Sequence, residues 1–488
     1  MPANLISTKN NKAGNKRVVF FSHTSNRYGG AESALLEMLK YFNDQKSISP
    51  YMILPSEGTL SDELNKIGIQ YSIIKFAPWC DTRQLSQNER LGRDKIVKKT
   101  IRDMTELLKS IKPDIAVTNT IVSPWLGVLA ANFNIPHVWI LHEYGNIDHG
   151  LIFDYEYKEV LETINRLSGV VVVNSKSLAT HIEEKIDKNK IVQIYYAIAD
   201  NPLFSTKPKV KDQNIDGIFG FRCLIMGRIT PSKGQLEAVY AVKLARDKGH
   251  EISLLLLGDI ESDEYMTQID EYVKVNDLSG SVTHSRYQPN PYEYIQASDV
   301  LLMCSRNEAF GRVTAEAMLC GKPVIGTRSG ATKEIVSDGK TGLLYEPGNI
   351  DELSEKLIYL VIHKELAKTM GLAAAKFARE NFNHESSEER ILKAFKNVQA
   401  VKNFPLTDKF LNAIDEIEQE KNIQEVTLLE FKRELKERIK QIQDLDQALH
   451  SAQEYLLSIT NSKSWKVAKT LQKANAVTHN ILNKKSED

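Results

Sequence analysis

The chain has 488 residues, room for about three domains of ordinary size, and 42% of them are apolar, enough for large buried cores. Lys plus Arg (63) equals Asp plus Glu (63), so net charge gives no general attraction to nucleic acid. Four cysteines, Cys80, Cys223, Cys304 and Cys320, stand far apart without a C-x-x-C pair, which argues against a disulfide framework or a zinc site and for reduced thiols in a cytoplasmic protein.

Residues 1–16 form a polar segment with no apolar stretch beside a small-residue cleavage site, so no secretory signal is expected. No run of about 18 apolar residues follows anywhere, so no membrane span is expected either. The string RVVFFSH (17–23) predicts a buried strand, then a polar loop Thr24–Gly30, then a helix over Ala31–Phe42. KPDIAVTNT, SPWLGVLAANF and PHVWILHEYG repeat strand, helix, strand across 112–145, and SGVVVVNS (168–175) adds another strand. Continuous β-branched runs alternating with helices predict a parallel sheet covered on both faces. These elements define a first domain over 17–203.

The Lys-, Pro- and Asp-bearing stretch 201–217 reads as a linker. A second series follows, with strands FRCLIMG (221–227), EISLLLLG (251–258), DVLLMCS (299–305) and KPVIGT (322–327), and helices such as QLEAVYAVKLARDKG between them. It defines a second domain over 218–383. Because the linker interrupts the alternation, two doubly wound α/β domains facing a cleft fit better than one eight-fold barrel.

Glycine marks the end of this body. All 25 glycines lie at or before Gly371. Turn-rich folds need glycine and long helices exclude it, so a helical tail is expected. Residues 384–404 read as a returning helix and linker, and 405–488 as the tail. From Leu428 an apolar heptad runs through Leu435, Ile442, Leu449 and Leu456, with Phe431, Arg438, Leu445, Ala452 and Ile459 three positions after each. That pattern predicts a coiled coil, or a long helix folded back on the body.

Open α/β sheets bind ligands at the carboxyl ends of their strands, so the loops there carry the candidate chemistry. SHTSNRYGGAE places Gly29 and Gly30 before a helix start, where amides can meet an anion or simply make a turn. It lacks G-x-G-x-x-G, so no dinucleotide cofactor is implied. GRITPSKG sets Arg228 and Lys233 five apart on a strand-to-helix turn, a forked donor and a point charge suited to a diphosphate. In SRNEAFGRVTAEAMLCGKPVIGT, Glu308 follows a strand and Glu316 lies eight positions on, inside a helix, with Phe310 and Gly311 at its start. Such a pair can accept from the hydroxyls of a sugar and a ribose, or merely face solvent. WILHEYG ends a first-half strand with His142, and Ser305, Thr332 and Glu334 lie on neighbouring second-half loops.

In combination, GGAE, the strand-end His142, GR-x(4)-KG and EAFGRVTAEAM-x(2)-GKPVIGT-x(2)-G-x(3)-EIV resemble family 4 glycosyltransferases of the GT-B fold, over roughly residues 17–400. DGKTGLLYEPGN is similar to that family as well. The resemblance implies a retaining enzyme that moves a sugar from a UDP- or GDP-linked donor to a glycan or lipid-linked glycan, in cell-surface polysaccharide synthesis. It implies that Arg228 and Lys233 bind the diphosphate, that Glu316 holds the ribose, and that Glu308 with the Phe310 and Gly311 amides holds the sugar. By the same resemblance, His142 would contact the sugar near the reacting carbon, and Gly29 and Gly30 would approach the diphosphate and acceptor. SGATKEIV departs from the pattern, where many relatives carry a second glycine and a proline. Other GT-B chemistries, a nucleotide-sugar 2-epimerase or a phosphorylase, and a non-catalytic organiser built on the heptads, are the alternatives.

No cofactor is expected beyond the nucleotide sugar as substrate, and no metal. The body has no D-x-D; the one in the chain, Asp444-Leu-Asp446, falls within the heptads. Residues 461–473, NSKSWKVAKTLQK, resemble a Ser-Trp-basic segment at the ends of some bacterial surface-polysaccharide glycosyltransferases. Trp465 among Lys463, Lys466, Lys469 and Lys473 suits either the inner face of an anionic membrane or a solvated helix end. Arg286 and Tyr287 lie where the base of the donor is expected.

Overall fold

The structure, a computed structural model, describes residues 15–26, 29–204, 220–288 and 290–401. The expected heptads, Asp444-Leu-Asp446, the Trp465 segment and most of the linker lie outside these residues.

The first parallel sheet contains β1 (Arg17–Phe21), β2 (Ser49–Leu54), β3 (Gln70–Ile73), β5 (Ile115–Thr118), β6 (His137–Leu141), β8 (Val170–Val173) and β9 (Ile191–Gln193). Their order is β3-β2-β1-β5-β6-β8-β9, and a small antiparallel ribbon pairs β4 (Cys80–Asp81) with β7 (Ile152–Phe153). The second sheet runs β12-β11-β10-β13-β14-β15, where β10 is Phe221–Met226, β11 Ile252–Leu257, β12 Val282–Ser285, β13 Val300–Met303, β14 Val324–Thr327 and β15 Gly342–Tyr345. Every pairing in both sheets is parallel. In each sheet the order reverses beside the first strand, which opens a crevice at the carboxyl ends.

The unbroken apolar strands feed two cores at once because successive side chains point to opposite faces. Val138 and Ile140 enter one cluster with Val18 and Phe20, while Trp139 and Leu141 enter another with Trp79 and Val173. In the second sheet Leu254 and Leu256 face one core and Leu255 and Leu257 the other. Each fully buried leucine contributes about 1.5–3 kcal/mol, so these runs carry much of the stability of both cores.

Helices α1 (Gly30–Asp44), α2 (Thr59–Lys66), α3 (Gln87–Ile111), α4 (Trp125–Asn132), α5 (Tyr157–Leu167) and α6 (Lys176–Ile182) belong to the first half. The second half carries α7 (Gln235–Asp247), α8 (Asp263–Val275), α9 (Tyr292–Ala297), α10 (Arg312–Leu319), α11 (Thr332–Ile335), α12 (Ile350–Ile362) and α13 (Lys364–Asn381). A last helix, α14 (His384–Asn397), returns to the first half, where Phe395 packs 6.1 Å from both Phe20 and Phe42. Both sheets lie in one compact unit, so the cleft between them has a defined geometry.

Candidate active site

Glycine shapes the turn after β10. Gly234 has φ +70, and a Cβ there would sit 2.6 Å from the Cys304 carbonyl oxygen. Its left-handed conformation ends the short turn Pro231–Lys233 and starts α7, aiming Lys233 at the neighbouring loop. That loop follows β13 and is pinned where the Ala331 amide donates to the Glu308 carbonyl (2.8 Å). Lys233 Nζ consequently donates to Glu308 Oε2 at 2.8 Å, with the two side chains 25% and 15% exposed. Burial pushes the Glu308 carboxyl up, but Lys233, with Ser305 and His149, outweighs it and holds the group below the usual carboxylate range. Arg228, at the mouth of the cleft, donates to Glu261 Oε1 at 2.9 Å.

Gly311, φ +79, is the N-cap of α10. Phe310 just before it is buried, its ring edge-on to Tyr196 at 4.8 Å, so the side chain anchors the loop to the irregular segment that follows β9. One turn into α10, Glu316 Oε1 accepts from Arg312 Nε at 2.9 Å, and Arg312 Nη2 donates to Glu37 Oε1 of α1 at 2.6 Å. This second ionic knot is about nine-tenths buried and joins the halves. Gly30 lies against it: a Cβ there would stand 3.6 Å from Arg312 Cβ.

On the first-half wall, His142 at the end of β6 is buried and both ring nitrogens are engaged. Nε2–H donates to Asn119 Oδ1 (2.9 Å), and Nδ1 accepts from the Tyr196 hydroxyl, which itself accepts from Asn174 Nδ2 (3.0 Å). Burial, and secondarily His23, push the His142 imidazole down to about 3, so it is neutral. The next residue, Glu143, is partly buried; burial, Asp148 and Glu32 push its carboxyl up to about 8. Glu32, the acid of GGAE, is buried with its carboxyl raised by desolvation, opposed by its own amide, by the Gly29 amide and by Arg228.

Of the sequence-derived residues, the structure brings Lys233 and Glu308 into direct contact and places Arg228 beside the same cleft. Glu316 stands in the separate knot with Arg312, and Gly30 lies against that knot. Gly29 sits at the head of α1 beside Glu32, Gly311 and Phe310 at the head of α10, and His142 behind the surface of the first-half wall. Arg286 and Tyr287 follow β12 and are exposed, with the Tyr287 amide donating to Asp259 Oδ1 at 3.2 Å. Sequence reading passed over Arg312, Glu37, Glu32, Glu143 and His149. The signal for three of them stood inside quoted motifs, EAFGR, GGAE and HEYG; Glu37 on α1 had none.

Over 78% of this chain and 100% of the other, the structure matches that of HepE from Anabaena, solved with UDP-glucose, with a TM-score of 0.66 at 21% identity, and the neighbours share the two-domain GT-B fold. Residues 28–201 match the family model for Glycosyltransferase Family 4, and residues 220–377 the model for Glycosyl transferases group 1. The chain therefore carries both glycosyltransferase domains, one in each half. An uncharacterized glycosyltransferase of Methanocaldococcus jannaschii is 29% identical over 257 residues, 52% of this chain and 67% of that one. The N-acetyl-alpha-D-glucosaminyl L-malate synthase of Bacillus anthracis is 31% identical over 221 residues, 45% of this chain and 57% of that one. The chain thus spans about two thirds or less of the length of these curated relatives.

Proposed function

We propose that this protein is a retaining glycosyltransferase that moves a sugar from a nucleoside diphosphate sugar to a glycan or lipid-linked glycan in cell-surface polysaccharide synthesis. The observation that carries the reading is the Lys233–Glu308 pair at 2.8 Å, a cation and a carboxylate delivered by two strand-end loops of one sheet, with Arg228 alongside. Breaking the glycosidic bond puts negative charge on the departing diphosphate and positive charge on the sugar. Fixed cations aimed at the first, and a carboxylate near the second, favour that separation without reorganisation in a partly dry cleft. The donor displaces Glu308 from Lys233, the sugar hydroxyls take the carboxylate, and the phosphate oxygens take the ammonium. The acceptor hydroxyl attacks on the face the diphosphate leaves; as the new glycosidic bond forms and the bond to the diphosphate breaks, the hydroxyl proton passes to the departing phosphate oxygen, so no separate carboxylate base is needed. A UDP-linked donor is favoured by the UDP-glucose bound to HepE. The protein works in the cytoplasm, with its tail serving self-association or contact with the membrane inner face.

Calorimetry over a panel of UDP- and GDP-sugars tests this. The parent binds at least one donor, and R228A and E316A bind it more weakly. Variants that bind every donor as tightly as the parent contradict the site.

A further inference from the structure

His149 lies on the first-half loop between β6 and β7, seven residues beyond His142, yet its ring meets the second half. Its Nδ1 stands 3.4 Å from Arg228 Nη2, and its Nε2 faces Asp148 Oδ2 at 3.9 Å. Asp148 is fixed in turn, accepting from the Tyr144 amide (2.9 Å) and the Gly145 amide (2.7 Å). The loop is closed by the Leu151 amide donating to the Gly145 carbonyl (3.0 Å), with Gly145 at φ +90. From the second half Asn307 Nδ2 reaches the Ile147 carbonyl at 3.4 Å. The ring is therefore held at the cleft by groups on both sides.

Three nitrogen groups meet here, each with its own carboxylate partner: Arg228 with Glu261, Lys233 with Glu308, and His149 with Asp148. A second cation would not settle beside a guanidinium unless an anion came between them. Burial lowers the proton affinity of the His149 ring, Asp148 raises it, and Lys233 and Arg228 lower it again, so without an anion the neutral form is favoured more than in a free imidazole.

We propose that His149 is a third diphosphate ligand, supplied across the cleft by the first half, which takes up a proton as the donor binds and so ties the first half to the occupied second half. The inference rests on the proposed donor chemistry and adds to it the residue that makes binding pH-dependent. The charged groups facing the ring are Asp148 from its own loop, Arg228 and Lys233 from the turn after β10, Glu308 from the loop after β13, and His23 from the loop after β1. A bound diphosphate adds negative charge to this set and favours the imidazolium. Diphosphate affinity therefore rises as pH falls toward the ordinary histidine range.

The test uses the full chain, with UDP, GDP, uridine and guanosine as probes, in the parent, H149Q and H149K. In the parent, UDP or GDP binds more tightly at pH 6 than at pH 8. H149Q loses about tenfold or more of that affinity at pH 6, as removing a charge-assisted hydrogen bond does, while nucleoside affinity and melting temperature stay at the parent level. H149K, which is charged throughout, restores binding and removes the pH dependence. H149Q binding the diphosphate as tightly as the parent at pH 6 overturns the inference and leaves the donor reading standing. A parent that binds neither diphosphate at either pH overturns both.

Discussion

Arg312 and Glu37 join the two halves of the molecule through a 2.6 Å ion pair, although they stand 275 positions apart in the chain. The same guanidinium holds Glu316 at 2.9 Å, so the carboxylate assigned to the ribose is oriented by a residue that also grips the opposite wall. Burial disfavours the charge on Arg312, and Glu316 and Glu37 together overcome that and bind its proton more firmly.

Removing that guanidinium leaves two carboxylates facing each other with little water. Arg312→Leu is expected to lose about 3–5 kcal/mol of stability, the usual cost of orphaning a buried charge. Urea unfolding of parent and variant measures it, and a loss below about 1 kcal/mol contradicts the knot as described.

Glu334 caps a helix of the other half. Its carboxylate accepts from the Lys176 and Ser177 amides, both at 3.0 Å, and from the Tyr195 hydroxyl at 3.1 Å, while Ser175 takes the Leu178 amide. Glu334→Ala is expected to cost about 1–2 kcal/mol, as loss of an N-cap does, and to loosen the halves. Thermal unfolding reads the first effect and limited proteolysis near α6 the second.

Gly234 sets the direction of Lys233. In Gly234→Ala the left-handed backbone costs about 1–2 kcal/mol and the new methyl collides with the Cys304 carbonyl. Donor affinity should fall together with stability, whereas Gly249→Ala, also at positive φ but with open space around its Cβ position, should affect stability alone.

Two buried histidines make stability fall on the acid side. Burial lowers His137 to about 4 and His142 to about 3. The unfolded chain binds a proton at each as pH drops below about 6.5, and the folded chain does not, so stability is lost from about pH 6.5 downward to those values. For His137 the full effect is about 3 kcal/mol. Denaturant midpoints of the parent and H137Q at several pH values isolate the His137 part, because His142 and the raised Glu143 carboxyl act equally in both: the stability lost by the parent between pH 6.5 and 4 should exceed that lost by H137Q by about 3 kcal/mol, and equal losses contradict it.

The sequence made the first-half strands β1, β5, β6 and β8 and the second-half strands β10, β11, β13 and β14 legible, because each is a run of large apolar residues fed to two cores. It did not reveal β2, which opens with Ser49-Pro50, β3 (QYSI), β9 (IVQ), β12 (VTHS) or β15 (GLLY). β3, β9, β12 and β15 are the edge strands of the two sheets, only three or four residues long, and β2, although interior, is polar over its first half, so periodicity has little to work on. The loops carrying Arg228, Lys233, Glu308 and Glu316 were legible from residue type and position after strands. On sequence grounds Glu316 fitted a solvated helix face equally well; the structure buries it against Arg312, whose other partner, Glu37, was invisible because only folding brings α1 to α10. His149 was hidden for the same reason, since nothing local marks it as a neighbour of Arg228.

The central claim is that Lys233 and Glu308 exchange each other for a donor. The most direct measurement is the rate of nucleoside diphosphate release from whichever UDP- or GDP-sugar stabilises the parent most, compared with Lys233→Ala. The account predicts a rate lower by about 2–4 kcal/mol in barrier, roughly thirty- to a thousandfold, with the variant still folded. A folded Lys233→Ala protein that releases nucleotide at the parent rate contradicts it.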